Sequence, residues 1–198
     1  HGDATHRTSM DPSNILVAGV GGIGCAWAHR AHQKCQGSAH LVLIDADDAS
    51  FKTGEDVHVL RLGHALDSVG CAALPPLAEQ RMRGLNTLTN RLLETTELVI
   101  LLTGLGGGVG TGAAHEFARQ ARQSGAVVLA VAALPFERQT TRMDIAVEGL
   151  ERLEATAHVT VRLSLDRLAR QAREMGQLWQ RGAECIVDLV DGLVRTLM

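Results

Sequence analysis

TGLGGGVGTGAAHE, residues 103–116, lies between a wholly apolar run and an amphipathic one, and six of the nine positions from Gly104 to Gly112 are glycine. The run before it, LVILLTG (98–104), predicts a central buried strand. AAHEFARQARQ behind it predicts a helix that starts near Ala113 and is stopped by Gly125. Each glycine costs about 0.5–1 kcal/mol relative to alanine in regular structure, so a purely structural turn has little use for six. Without Cβ atoms, successive N–H groups can converge into an anion-binding nest, and the following helix adds its positive end. The loop is therefore expected to cradle a phosphate, with Thr111 supplying a hydroxyl where a phosphate oxygen would sit.

A second glycine turn stands near the start of the chain. ILVAGV (15–20) predicts a buried strand, and GVGGIG (19–24) fits G-x-G-x-x-G at Gly19, Gly21 and Gly24. Asp45 closes the next strand, LVLID (41–45), at the spacing of a ribose-binding carboxylate. Alone, this pattern suits a nicotinamide or flavin site or an adenylating enzyme, or else the glycines serve only close packing of helix on strand. The second loop shifts the balance. A dinucleotide has one pyrophosphate and would leave a nest empty, whereas a di- or triphosphate can be clasped by turns at neighbouring strand ends. No GxxxxGK[ST] occurs, which excludes the P-loop solution.

Outward from these turns, β-rich runs alternate with helical ones. VHVLRLG reads as a short third strand, AVVLAVAALP and HVTVRLS as two more, the last with clean alternation. PPLAEQRMRGLNTLTNRLLE reads as a helix opening on prolines, and TTRMDIAVEGLERLEA as one capped by Thr140 or Thr141. The expected fold is α/β: one doubly wound, mostly parallel sheet with helices on both faces. Residues 1–12 are expected to be frayed or tag-derived, 13–170 to form the nucleotide-binding domain, and 171–198 a C-terminal helix of that domain.

Composition bounds the function. A net charge of -3 argues against nucleic acid as a partner, and 3% aromatics with no Tyr leave little for stacking on bases. The four cysteines form no CxxC pair and the nine histidines no HxxxH or HExxH, so no metal site is expected. No apolar run reaches the ~18 residues of a membrane span, and the chain reads as cytoplasmic.

GGGVGTG (106–112) resembles the GGGTGTG hallmark of the tubulin/FtsZ family. DPSNILVAGVGGIGCAWAHR, LPFERQTTRMDIAVEGLERL, SLDRL and GAECIVDLV are similar to further segments of that family, so the likeness covers roughly residues 11–190. The resemblance implies that Gly21 and Gly22 approach the phosphates from the first loop, and that Gly106, Gly107, Gly108, Gly110 and Thr111 cradle them from the second. It places Glu137 at the ribose, Arg142 at phosphate or ribose, and Asp45 at the Asp of the family's N-T-D turn. It implies GTP or GDP as ligand, with or without Mg2+.

Departures qualify that implication. Ile23 and Ala26 stand in the first loop where the family has Gly and Asn, and Val109 replaces a Thr in the second. The guanine-stacking Phe and guanine-reading Asp align with Ala172 and Gly176, which removes the main discriminator of guanine from adenine. DLVDGLVRTLM lacks the NxDxxD carboxylates that activate hydrolysis in a neighbouring subunit, and LVRTLM resembles the segment beyond that loop, consistent with its deletion. The expectation is a degenerate nucleotide-binding protein with little or no GTP hydrolysis. Its partners would be nucleotide and either a second copy or an FtsZ-type protein. The alternatives are a nucleotide-free pseudo-GTPase scaffold and, less favoured, a dinucleotide- or adenylate-using enzyme.

Overall fold

The structure, a computed structural model, describes residues 14–35, 39–52, 54, 56–63 and 74–171, together with Glu184, Val187, Asp188, Asp191 and Gly192. Residues 1–12, Ala172, Gly176 and most of the expected C-terminal helix lie outside the described residues.

Six strands carry the fold: β1 (Ile15–Val20), β2 (His40–Asp45), β3 (Val57–Arg61), β4 (Leu98–Gly104), β5 (Val127–Leu134) and β6 (Val159–Ser164). All pair in parallel, in the order β3-β2-β1-β4-β5-β6. Between them run α1 (Gly21–Cys35), α2 (Pro75–Gly84), α3 (Asn86–Leu93), α4 (Gly108–Gln123) and α5 (Thr140–Thr156), and α6 (Leu165–Gln171) follows β6. β1 is buried along its whole length because both its faces are covered. Ile15 and Val17 join Trp27, Ala28 and Ala31 of α1 on one side. Leu16, Ala18 and Val20 join Ala114, Phe117 and Ala121 of α4 on the other. That two-sided burial is why the central strands read as unbroken apolar runs. Among the described residues, no helix is long and apolar enough to cross a membrane.

The strand order places the site. From β1 the chain winds outward through β2 to β3, and from β4 it winds the other way through β5 to β6. The connections leaving β1 and β4 therefore diverge, and a crevice opens where the carboxyl ends of these two neighbours meet. Both glycine turns follow these strands directly.

Four sequence expectations are corrected. α4 starts at Gly108, not near Ala113, so half of the second glycine loop is its first turns. A Cβ on Gly110 would lie 2.1 Å from the Gly104 carbonyl oxygen, and one on Gly112 would lie 1.9 Å from that of Pro75. These glycines let the helix press against β4 and α2, and packing overrides their poor helix propensity. The expected proline-led helix is two helices, joined at Leu85. The N-cap of α5 is Gln139, and Thr140 is its first helical residue. Gln139 Oε1 accepts the Phe136 N–H (3.2 Å) and so ties the preceding turn. β6 does not bury alternate residues: it is an edge strand, and Val159 and Val161 are exposed.

Candidate functional site

The crevice beyond β1 and β4 has a volume of about 400 Å³. Gly21, Gly22 and Ile23 form one wall, and Gly107, Gly108, Val109 and Gly110 form the facing one. The two turns touch: a Cβ on Gly21 would lie 3.3 Å from the Gly110 nitrogen. Gly21 holds φ 79° and Gly106 φ 104°, conformations that side-chain-bearing residues rarely adopt. Gly21 opens α1 immediately after β1, and Gly107 is the extended N-cap of α4. The walls are thus two helix N-termini, whose first N–H groups have no partner within their own helix. Two positive helix ends aimed at one hollow favour an anion there.

The glycines divide by role. Gly24 lies too close to the sheet for any side chain, since a Cβ would fall 2.3 Å from the Leu102 carbonyl oxygen. Gly22 and Gly107 have no such constraint: a Cβ on Gly22 would find only the Ser50 hydroxyl, at 4.0 Å, and one on Gly107 nothing within 4 Å. These two are glycines on the open wall of the crevice.

Asp45, Asp47 and Ser50, from the end of β2 and the turn after it, complete the floor. Asp45 is buried, and its carboxylate accepts the Ala46 N–H (2.8 Å) and the Ser50 hydroxyl. Asp47 accepts the Ala49 N–H (2.9 Å) and caps a short 3-10 turn over Asp48–Ser50. Arg142, exposed in the first turn of α5, is the cation on the wall. Its backbone oxygen would lie 3.0 Å from a Cβ on Gly106. Behind the floor, burial and then the Asp45 charge push the Cys25 thiol up to about 12, so it remains a neutral thiol.

Of the residues expected from sequence, the structure brings together Gly21, Gly22, Asp45, Gly107, Gly108, Gly110 and Arg142. Gly106, Thr111 and Glu137 are not on the crevice wall. Thr111 is buried, and its hydroxyl accepts the Gly106 N–H at 2.9 Å. Glu137 is exposed, and its N–H donates to Asp166 Oδ2 at 2.9 Å. Ile23 lines the hollow and packs on Gly104, where a Cβ would meet Ile23 Cδ1 at 3.1 Å. Sequence reading missed Asp47 and Ser50. Their signal was present in DADDAS (45–50), a run of turn-forming side chains directly after a strand. Among the described residues, no group of three His, Cys, Asp or Glu is placed to hold a metal ion. To an anion the arrangement offers backbone N–H groups and one guanidinium, with two carboxylates on its floor.

Comparison with known proteins bears on the family and the fold. The profile of the Tubulin/FtsZ family, GTPase domain, matches residues 14–173. Cell division protein FtsZ 1 of Archaeoglobus fulgidus is 33% identical over 156 residues, which are 78% of this chain and 42% of that protein. Cell division protein FtsZ of Aquifex aeolicus is 30% identical over 161 residues, 80% of this chain and 44% of that one. The empty FtsZ dimer of M. jannaschii superposes with a TM-score of 0.82 at 27% identity, covering 92% of this chain and 54% of that one. The chain thus spans less than half the length of these two curated relatives.

Proposed function

This chain belongs to the tubulin/FtsZ family, and from that premise we propose that its crevice binds a guanine nucleotide by the polyphosphate and hydrolyses it slowly or not at all. The observation that carries this reading is the convergence of Gly21–Gly22 and Gly107–Gly110 on one hollow. Two helix N-termini face each other across it, with Arg142 at its rim, and together they suit a chain of at least two phosphates better than a single anion. Asp45 and the turn it orders would lie toward the ribose. Slow turnover is supported by Val109, which offers no hydroxyl to the phosphates, and by the engagement of both carboxylates at the crevice, Asp45 with Ala46 and Ser50 and Asp47 with Ala49. The output of binding is then a change of conformation or self-association, with a second copy or an FtsZ-type protein as partner.

Substitution at Gly107 tests the site without endangering the fold. Aspartate is a favoured N-cap and a Cβ there meets nothing, so Gly107→Asp should keep the protein folded. Its carboxylate occupies the anion nest. Titration of the wild-type protein with a fluorescent GTP analogue should saturate, and the variant should lose binding by at least tenfold. Equal affinity in both proteins would remove the site assignment, and no binding to either would favour the scaffold reading. Phosphate release is expected below about 1 per minute, well under the ~1 s⁻¹ lower end of typical turnover. Faster, concentration-dependent release would refute the degenerate assignment.

A further inference from the structure

A second cavity, of about 250 Å³, lies between α2, α4 and α5, separate from the crevice. The three helices meet closely beneath it. Gly112 of α4 leaves room only for the Pro75 carbonyl, and Gly149 of α5 leaves room only for the Thr111 methyl. Pro75, Pro76 and Ile145 supply apolar walls, and Glu79, Glu148, Arg152 and His115 the polar ones.

The charges define what the cavity suits. Among the lining residues two carboxylates face one guanidinium, while Arg83, outside the cavity, holds the other Glu79 oxygen, Oε1, at 2.8 Å. His115 Nε2 lies 3.6 Å from Glu79 Oε2, and burial holds this imidazole below its usual range, so it adds no positive charge at neutral pH. Arg152 bridges the carboxylates, with Nη1 3.2 Å from Glu79 and Nη2 3.1 Å from Glu148. Half of its side chain is exposed, and such exposed pairs are weak and readily exchanged. Arg152 therefore shows which head group the carboxylate pair accepts, without filling the space between the prolines and Ile145. For scale, a dry apolar cavity of about 150 Å³ admits benzene.

We propose that this cavity is a second ligand site, taking a small flat molecule that carries an amidinium or guanidinium group, which displaces Arg152 and pairs with Glu79 and Glu148. The ring lies between Pro75–Pro76 and Ile145, and the forked cation spans the carboxylates in the manner of a guanidinium. The site is independent of whether the crevice binds nucleotide.

Benzamidine is a suitable probe, with neutral benzamide as control, titrated calorimetrically against the full chain. Saturable benzamidine binding is expected, with benzamide at least tenfold weaker. Glu148→Gln, at a side chain 69% exposed and so safe for the fold, should weaken benzamidine about tenfold. Arg152→Ala removes the internal competitor and should tighten binding threefold or more. A general surface association predicts neither response. Equal binding of benzamide, unchanged affinity in Arg152→Ala, or no saturation in the wild-type and Arg152→Ala proteins would each overturn the site.

Discussion

The hydroxyl of Thr111, inside the first turns of α4, accepts the N–H of Gly106 at 2.9 Å, while its methyl faces the space left by Gly149. One side chain thus pins the left-handed turn that delivers the second glycine loop to the crevice. Thr111→Val keeps the methyl and orphans a buried N–H, which should cost about 1–3 kcal/mol. Thr111→Ser keeps the bond and loses one methyl, for about 1 kcal/mol. Urea denaturation should rank Val as the more damaging change. The reverse order would show that packing on Gly149, and not the hydrogen bond, holds the turn.

Gly22 and Gly24 are two residues apart and should respond oppositely to alanine. At Gly24 the added methyl lands 2.3 Å from the Leu102 carbonyl, between α1 and β4, neither of which can yield alone. Overpacking of this kind costs about 1–3 kcal/mol and can cost more. Gly22→Ala meets only the Ser50 hydroxyl at 4.0 Å and should stay within about 0.5 kcal/mol of wild type. Thermal or urea unfolding of the pair checks this division of roles.

Cys25 is wholly buried and held as a thiol by a pKa pushed up to about 12. Only the thiolate attacks alkylating agents, so iodoacetamide at pH 8 should leave Cys25 unmodified in the folded protein and label it fully in urea. Peptide-resolved mass spectrometry separates it from the other cysteines. Native labelling at the unfolded rate would contradict the packing of α1 on β1 and β2.

His115 makes stability depend on pH in a definite direction. Burial lowers its pKa first, the Glu79 charge opposes that, Arg152 adds to it, and Glu116 and Arg83 act in opposite senses after them. With the folded value below the unfolded one of about 6.5, the unfolded chain takes up the proton first as pH falls. The contribution is therefore complete above that value and drains as pH drops through the folded pKa. His115→Gln should lose less stability between pH 7 and pH 5 than wild type does. Parallel losses in urea titrations of the two proteins would sink this assignment.

Much of the architecture was legible in the linear order of residue types. β1 and β4 are buried almost throughout because each is covered on both faces, and a glycine stands directly after β1, at Gly21, and at the end of β4, at Gly104. Strands alternating with helical periods required a parallel sheet, and two glycine turns following two such strands marked the crevice. The turn after β2 was less visible, because DADDAS makes local hydrogen bonds that leave no periodic trace. The start of α4 was obscured because its glycines are poor helix formers in isolation.

By itself the chain's order of residues determined which segments become strands, where the backbone must turn without side chains, and the family to which those turns point. Those properties depend on local sterics and on burial patterns a few residues long. Only the tertiary structure decided which glycines serve the crevice and which serve packing, since Gly22 and Gly24 differ solely in whether Leu102 stands opposite. It likewise decided that the Thr111 methyl packs on Gly149, because that depends on the approach of α4 to α5, a distance between segments remote in sequence.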